Sequence, residues 1–223
     1  MIDFWLVLFL GCMAVDWSAL ALNRPSINYF SKPLTLFFLI VWYFTNLPHF
    51  FQGMWFGLGL VFALIGDVCL LFSYRYFLVG LTAFLITQIL YSVQIFFLSG
   101  VFSTLMILGM FSIAVIIAIK ITSQIRKKGI QTLVERMSIP IAAYAMVISV
   151  MVLLAIFTIL QPGHHQVSVS LLVAGALLFF ASDLTLAVDR FIRPLTRARL
   201  MVRISYHLGQ FALTSGVLLE LAS

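Results

Sequence analysis

The sequence predicts an all-α protein, a polytopic transmembrane bundle of about eight helices. Of its 223 residues, 63% are hydrophobic and only 9% are charged, whereas a typical soluble domain has about 25% charged residues. The apolar residues form stretches of about 20 residues, the length that crosses a bilayer. The Lys and Arg residues fall between these stretches. We therefore expect one membrane-embedded domain over residues 1–223, without a soluble domain.

The first apolar stretch, residues 4–22, follows Asp3 and lacks a cleavage site of small residues. We therefore expect a retained helix rather than a signal peptide. Pro33 and Pro140 mark the expected starts of the second and sixth spans. Apolar runs and helix-breaking residues place the remaining spans at residues 33–49, 54–72, 76–98, 102–120, 137–160, 167–188 and 202–221.

Positive charge alternates along the chain. The connections that contain Pro48, Ser99 and Pro162 carry no Lys or Arg. The positive-inside rule therefore places the other connections in the cytoplasm and both termini on the opposite side. This distribution explains the net charge of +6 by membrane orientation, so membrane lipids rather than nucleic acid are the expected partners. The thirteen cations are Arg24, Lys32, Arg75, Lys120, Arg126, Lys127, Lys128, Arg136, Arg190, Arg193, Arg197, Arg199 and Arg203.

Most of the cations lie around the fifth and seventh connections, and the fifth connection comprises residues 122–136. A short basic helix on the anionic leaflet surface and a solvated loop both fit this composition. The oligomeric state leaves no signal in the sequence.

A short motif recurs four spans apart. Gly66-Asp67 with Leu70 in the third span resembles Ser182-Asp183 with Leu186 in the seventh. Four spans return the chain to the same orientation, so a duplication would give a parallel 4+4 repeat about an axis along the membrane normal. Chance recurrence of short apolar motifs explains the echo equally well.

Three acids, Asp16, Asp67 and Asp183, lie well inside expected spans, away from their ends. An ionisable side chain at the centre of a span costs about 2.5 to 3.5 kcal/mol, so each is a candidate functional residue. Asp67 and Asp183 both lie roughly 10 to 12 Å along their helices from the nearest cationic border. They are therefore expected at similar depth, in the cytoplasmic half of the membrane.

Polar side chains are expected at the level of these two acids: Lys32, Gln88 with Tyr91, and Tyr206 with Gln210. One interpretation is that the acids pair with these groups only to hold helices together. The other is a pocket in which one carboxyl group is an acid while the second stays ionised. Two acids at matched depth favour the second interpretation.

Other kinds of site have weaker support. Ser182 beside Asp183 does not form a catalytic triad, and the sequence has no Gly-x-Ser-x-Gly elbow. His164 and His165 have no carboxylate or Cys at ligand spacing. Cys12 and Cys69 lie in expected spans as isolated thiols. We therefore expect no metal site and no disulfide.

The motifs together resemble the YhhN-like lysoplasmalogenase family. In chain order they are Ser31-Lys32-Pro33-Leu34, Gly66-Asp67-Val68-Cys69-Leu70, Gly80 with Phe84 and Tyr91, Gly175-Ala176-Leu177-Leu178-Phe179, Ser182-Asp183, Leu186-Ala187, and Tyr206 with Gln210. The resemblance spreads over most of the chain. One position departs from the pattern: many members have His where Gln88 stands, and Gln cannot titrate.

The resemblance implies an eight-span hydrolase that cleaves the vinyl ether bond of a lysoplasmalogen, a lysophospholipid, to a fatty aldehyde and glycerophospho-ethanolamine or -choline. Asp67 and Asp183 would be the catalytic acids, one protonating the vinyl carbon and the other stabilising the oxocarbenium ion and positioning water. No cofactor is expected. Lys32 with Arg190 or Arg203 would hold the phosphate. Other expected substrate contacts are Gln88, Tyr91, Ser182, Tyr206 and Gln210.

A second hypothesis is a lipid or proton-coupled transporter that uses the same carboxylates as a relay. The four-span echo favours it. A transporter would need polar groups that continue to the far side of the membrane, whereas the outer halves of the expected spans are nearly all apolar.

Overall fold

The computed structural model describes residues 3–72, 76–100, 104–128 and 131–223. These residues form eight α-helices, one π-helical turn and no strand, which confirms the predicted helical bundle. Arg75 and the side chains of Lys128 and Arg136 lie outside the described part. The helices are α1 (Phe4–Ala21), α2 (Pro25–Asn46), α3 (Phe50–Leu71), α4 (Phe77–Leu98), α5 (Thr104–Lys128), α6 (Gln131–Thr158), α7 (Gln166–Ala187), followed by the π turn Val188–Ile192, and α8 (Ala198–Ala222).

Within the described residues, α1 to α7 are each long and apolar enough to cross a membrane. The eighth predicted span corresponds to α8, which does not meet that criterion because polar residues interrupt it. Several of them, including His207, Gln210 and Thr214, are buried. α8 packs on α7 and also contacts α1, α2, α3 and α4. It is therefore a central helix whose polar groups face other helices rather than lipid.

The second helix begins earlier than the expected span. α2 starts at Pro25, which occupies its first turn, and Pro33 lies inside the helix instead of opening it. Pro140 likewise lies inside α6. Neighbouring helices and side chains make an internal proline tolerable in a membrane bundle. The longer α2 places Lys32 inside the bundle, where it is 6% exposed.

The basic fifth connection is neither a surface helix nor a long loop. α5 continues to Lys128 and α6 begins at Gln131, so most of the segment extends the two helices. On α5, Ile125 is buried against Ile141 of α6 and Phe191 of the π turn. This small apolar cluster anchors the end of α5 to the rest of the bundle.

Consecutive helices pack as hairpins, and glycines set the closest approach. A Cβ atom built on Gly175 of α7 would lie 2.7 Å from the Leu213 backbone nitrogen and 2.9 Å from the Gly209 carbonyl oxygen of α8. A Cβ atom on Gly209 would lie 3.0 Å from the Phe179 nitrogen. Backbone atoms cannot move aside as a flexible side chain can, so α7 and α8 need glycine at this crossing.

The pattern of helix neighbours repeats in part between the two halves of the chain. α2 packs on α3 as α6 packs on α7, and α4 packs on α6 as α8 packs on α2. α8 also packs on α1 and α3, whereas α4 makes no comparable contact with α5 or α7 in the described part of the chain. The parallel 4+4 repeat therefore stays a prediction.

Candidate functional site

A cavity of about 460 Å³ lies at the end of the bundle that carries the cationic connections, and both Asp67 and Asp183 line it. Its apolar lining includes Phe77, Leu81 and Phe191, which pack together. Its polar lining includes both acids together with Lys32, Tyr144, Ser182, Asp189, Arg199, Arg203 and Tyr206. A cavity lined by an apolar patch and by polar side chains suits an amphiphilic ligand.

Asp67 of α3 is held by an ammonium group and a phenol. Lys32 Nζ lies 2.9 Å from Asp67 Oδ1, and the Tyr206 hydroxyl donates to Asp67 Oδ2 at 3.0 Å. Lys32 Nζ also donates to the Asp67 carbonyl oxygen at 3.3 Å. Asp67 is only 1% exposed. The Lys32 ammonium group and the Tyr206 hydroxyl therefore occupy both oxygens of this buried carboxyl group.

Asp183 of α7 has different partners. The Tyr144 hydroxyl donates to Asp183 Oδ2 at 2.6 Å, and Gln88 Nε2 donates to the same oxygen at 2.8 Å. Gln88 Nε2 also donates to the Tyr144 hydroxyl at 2.8 Å. Across the described ranges, Asp183 forms no salt bridge, and its Oδ1 accepts no hydrogen bond. The two acids of the cavity therefore differ in electrostatic surroundings.

The donors to the two acids are related by the four-helix shift. Asp67 on α3 receives Lys32 from α2 and Tyr206 from α8. Asp183 on α7 receives Tyr144 from α6 and Gln88 from α4. Each acid thus accepts from the helix just before its own in the chain. It also accepts from the helix that comes just after the helix of the other acid. The two sets of donors are arranged alike, but only the set around Asp67 contains a cation, Lys32.

The third intramembrane acid, Asp16 of α1, does not line the cavity. Its carboxylate accepts from Arg203 Nη1 at 2.8 Å, Ser31 Oγ at 2.7 Å and Asn28 Nδ2 at 3.1 Å. It is fully buried. Asp16 therefore joins α1, α2 and α8 and fixes the Arg203 guanidinium at the cavity wall.

The family model described as the YhhN family matches residues 27–217. The chain belongs to the YhhN family. The match includes both cavity acids and every donor that bonds them. No curated protein and no solved structure matches the chain.

Four predicted site residues of this YhhN-family chain, Gln88, Tyr91, Arg190 and Gln210, do not line the cavity. The Tyr91 hydroxyl donates to Gln210 Oε1 at 2.7 Å, in the interior between α4 and α8. Arg190 lies over the Phe77 ring, 5.0 Å from its centroid. Ser182 does line the cavity, but its hydroxyl donates to the Val202 carbonyl oxygen at 3.1 Å.

Sequence reasoning missed Tyr144 in the YhhN-family site. It lies in α6, in the apolar run after Pro140, and nothing in its neighbourhood marks it as polar. Tyr is common in membrane spans, so a single Tyr carries little signal. Only the packing of α6 on α7 brings its hydroxyl to Asp183.

A second polar cluster of this YhhN-family chain lies at the opposite end of the bundle. His164 Nδ1 lies 2.6 Å from Glu220 Oε1, and the Ser168 hydroxyl donates to Glu220 Oε2. The cluster joins the start of α7 to the end of α8. The described residues contain no group of three or more His, Cys, Asp or Glu side chains that could hold a metal ion.

Proposed function

We propose that this YhhN-family protein hydrolyses the vinyl ether bond of a lysoplasmalogen inside the membrane. The observation that carries the proposal is that two carboxyl groups line one amphiphilic cavity in different surroundings, the buried Asp67 beside a cation and the partly buried Asp183 beside neutral donors. Acid hydrolysis of an enol ether needs a proton donor and an anion that stabilises the developing cation. Pairs of carboxyl groups in different environments supply these two functions in other hydrolases.

We assign the acid to Asp183 and the ionised partner to Asp67. Lys32 compensates the charge of Asp67. Asp183 is partly buried and has no cationic partner among the described residues, so a negative charge there would be uncompensated. Its Oδ2 already accepts from Tyr144 and Gln88, which leaves Oδ1 to carry the transferable proton.

The reaction then runs in three balanced steps. Asp183 Oδ1 gives its proton to the outer vinyl carbon, and the ether oxygen shares the resulting positive charge as an oxocarbenium ion. The Asp67 carboxylate stabilises this cation and orients a water molecule toward the carbon next to oxygen. Water adds to that carbon and returns a proton to Asp183, which gives a hemiacetal. In the last step the C–O bond to glycerol breaks, the hemiacetal hydroxyl loses its proton and the leaving oxygen gains one, which gives a fatty aldehyde and the free hydroxyl of the glycerophospholipid.

The walls of the cavity support the same orientation of substrate. The apolar side chains Ile121, Ile125, Phe77 and Leu81 line one side and offer a surface for the alkenyl chain. Arg199 and Arg203 line the cavity near the start of α8 and offer charge to the phosphate. The vinyl ether, which joins chain to headgroup in the substrate, would then lie between the two acids.

A panel of lysophospholipids tests the proposed function. Purified protein in detergent or nanodiscs is incubated with vinyl ether, alkyl ether and acyl lyso-lipids, and products are identified by mass spectrometry. We expect fatty aldehyde only from the vinyl ether lipid. When the reaction runs in D2O, we expect one deuterium on the α-carbon of the aldehyde. Lipid movement across proteoliposomes without any aldehyde would refute hydrolysis and favour the transporter hypothesis.

A further inference from the structure

Charged side chains of both signs line the cavity besides the two acids and Lys32, namely Asp189, Arg199 and Arg203. Of the cations that line it, Lys32 is paired with Asp67, whereas Arg199 has an exposed side chain. Asp189, in the π turn, and Arg203, in the first part of α8, also line the cavity and are half-buried. A zwitterionic ligand would compensate both signs at once.

Asp16, which does not line the cavity, holds the Arg203 side chain in place at the cavity lining. Arg203 Nη1 donates to the fully buried Asp16 at 2.8 Å, and Asp16 is itself held by Ser31 and Asn28. The other guanidinium nitrogens of Arg203 bond no residue in the described part of the chain. A fixed planar guanidinium with free donors matches the geometry of a phosphate group.

Asp189 is oriented in a comparable way. Its Oδ1 accepts from the Leu195 backbone nitrogen at 2.8 Å, which ties the π turn to the loop before α8. Its Oδ2 accepts no hydrogen bond from any residue that the structure describes. A carboxylate only accepts hydrogen bonds, so a second partner must be a donor or a cation.

We propose that Arg199 and Arg203 bind the phosphate of a lysophospholipid and that Asp189 binds the ammonium group of its ethanolamine or choline headgroup. This inference rests on the proposed function, because it takes the vinyl ether as the group that lies between the two acids. It makes Asp189 the residue that selects zwitterionic headgroups. In this proposal Lys32 does not bind the phosphate and pairs only with Asp67.

Binding of uncleavable lipids tests the headgroup site without turnover. The probes are 1-O-alkyl lysophosphatidylethanolamine and 1-O-alkyl lysophosphatidylglycerol, which differ in the ammonium group, titrated into protein in nanodiscs. We expect wild type to prefer the ethanolamine lipid by about fivefold, the scale of a partly exposed ion pair. Asp189→Asn keeps the acceptor for Leu195, so we expect it to remove the preference while the protein stays folded.

Two arginine variants complete the experiment. Arg199→Gln should weaken the binding of both lipids by a similar factor. Arg193 is exposed and lies outside the cavity lining, so Arg193→Gln should leave the affinity for both lipids unchanged. A preference that survives in Asp189→Asn, or an Arg199→Gln variant that binds as tightly as Arg193→Gln, would overturn the headgroup site. Normal headgroup binding without aldehyde release from the vinyl ether would instead overturn the proposed function and leave the site standing.

Discussion

The two acids of the cavity are chemically identical side chains that differ in one partner. Lys32 lies against Asp67, whereas a neutral phenol and an amide bond Asp183. Each acid also accepts a hydrogen bond from a Tyr hydroxyl, so the partner that differs is the Lys32 ammonium group on Asp67 and the neutral Gln88 amide on Asp183. The proposed division into an acid and an anion thus depends on Lys32 and Gln88 more than on the aspartates themselves.

Removing the Lys32 charge should impair both folding and turnover. Lys32→Met leaves the buried Asp67 unpaired, which costs roughly 3 to 5 kcal/mol. The double variant Lys32→Met/Asp67→Asn removes both charges and should regain most of the stability without any activity. Thermal unfolding and aldehyde release are measured for both variants, with the exposed Lys127→Met as control. A Lys32→Met protein of normal turnover would contradict the assigned role of the ion pair.

The Tyr144 hydroxyl should act on turnover rather than on substrate affinity. Tyr144→Phe removes one of the two hydrogen bonds to Asp183 Oδ2, so we expect kcat to fall about tenfold with little change in KM. Tyr43→Phe is the matched control, because the Tyr43 hydroxyl donates to the Gly53 carbonyl oxygen away from the cavity. Equal rates in the two variants would remove Tyr144 from the mechanism.

At the level of elements, the site depends on which helices meet. Asp67 and Asp183 were predictable because an isolated acid is conspicuous in an apolar span. Tyr144 was not, since its role depends on α6 packing on α7, which no local pattern encodes. Lys32 was expected at the level of the two acids, either paired with them or as a phosphate ligand. The structure pairs it with Asp67, and the phosphate role stays a prediction.

The α7–α8 crossing holds Ser182 against Val202 and positions Tyr206 near Asp67. Gly175→Ala would place a methyl group against backbone atoms of α8, and overpacking of this kind costs about 1 to 3 kcal/mol. We therefore expect a lower thermal inactivation temperature. Gly11→Ala in α1, whose Cβ would meet nothing within 4 Å, should be no less stable than wild type. Equal loss in both variants would argue against the close crossing.

For the whole molecule, the bundle and the family were largely predictable from composition and ordered motifs. The length of α2 and the central position of α8 were not, because burial among helices replaced the lipid-facing pattern that hydropathy detects. The hydrogen-bond donors of the two acids are related by the four-helix shift, and only Asp67 has a cation among them.

Orientation in the membrane is a further prediction at this scale. The alternation of cations places the α5–α6 end of the bundle in the cytoplasm and the α6–α7 connection outside. The test uses a variant in which Cys12 and Cys69 are replaced. In that background, Arg126→Cys should react with an impermeant maleimide only in inverted vesicles. A cysteine at Pro162 should react in intact cells. The reverse labelling pattern would contradict the proposed topology.

The most direct measurement compares the rate of aldehyde release from a lysoplasmalogen by wild type, Asp67→Asn and Asp183→Asn. Each variant is checked for a monodisperse, folded state. We expect each substitution to lower the rate by about a hundredfold or more, the usual contribution of an acid or base. A folded Asp67→Asn or Asp183→Asn protein that releases aldehyde at the wild-type rate would contradict catalysis by the carboxylate pair.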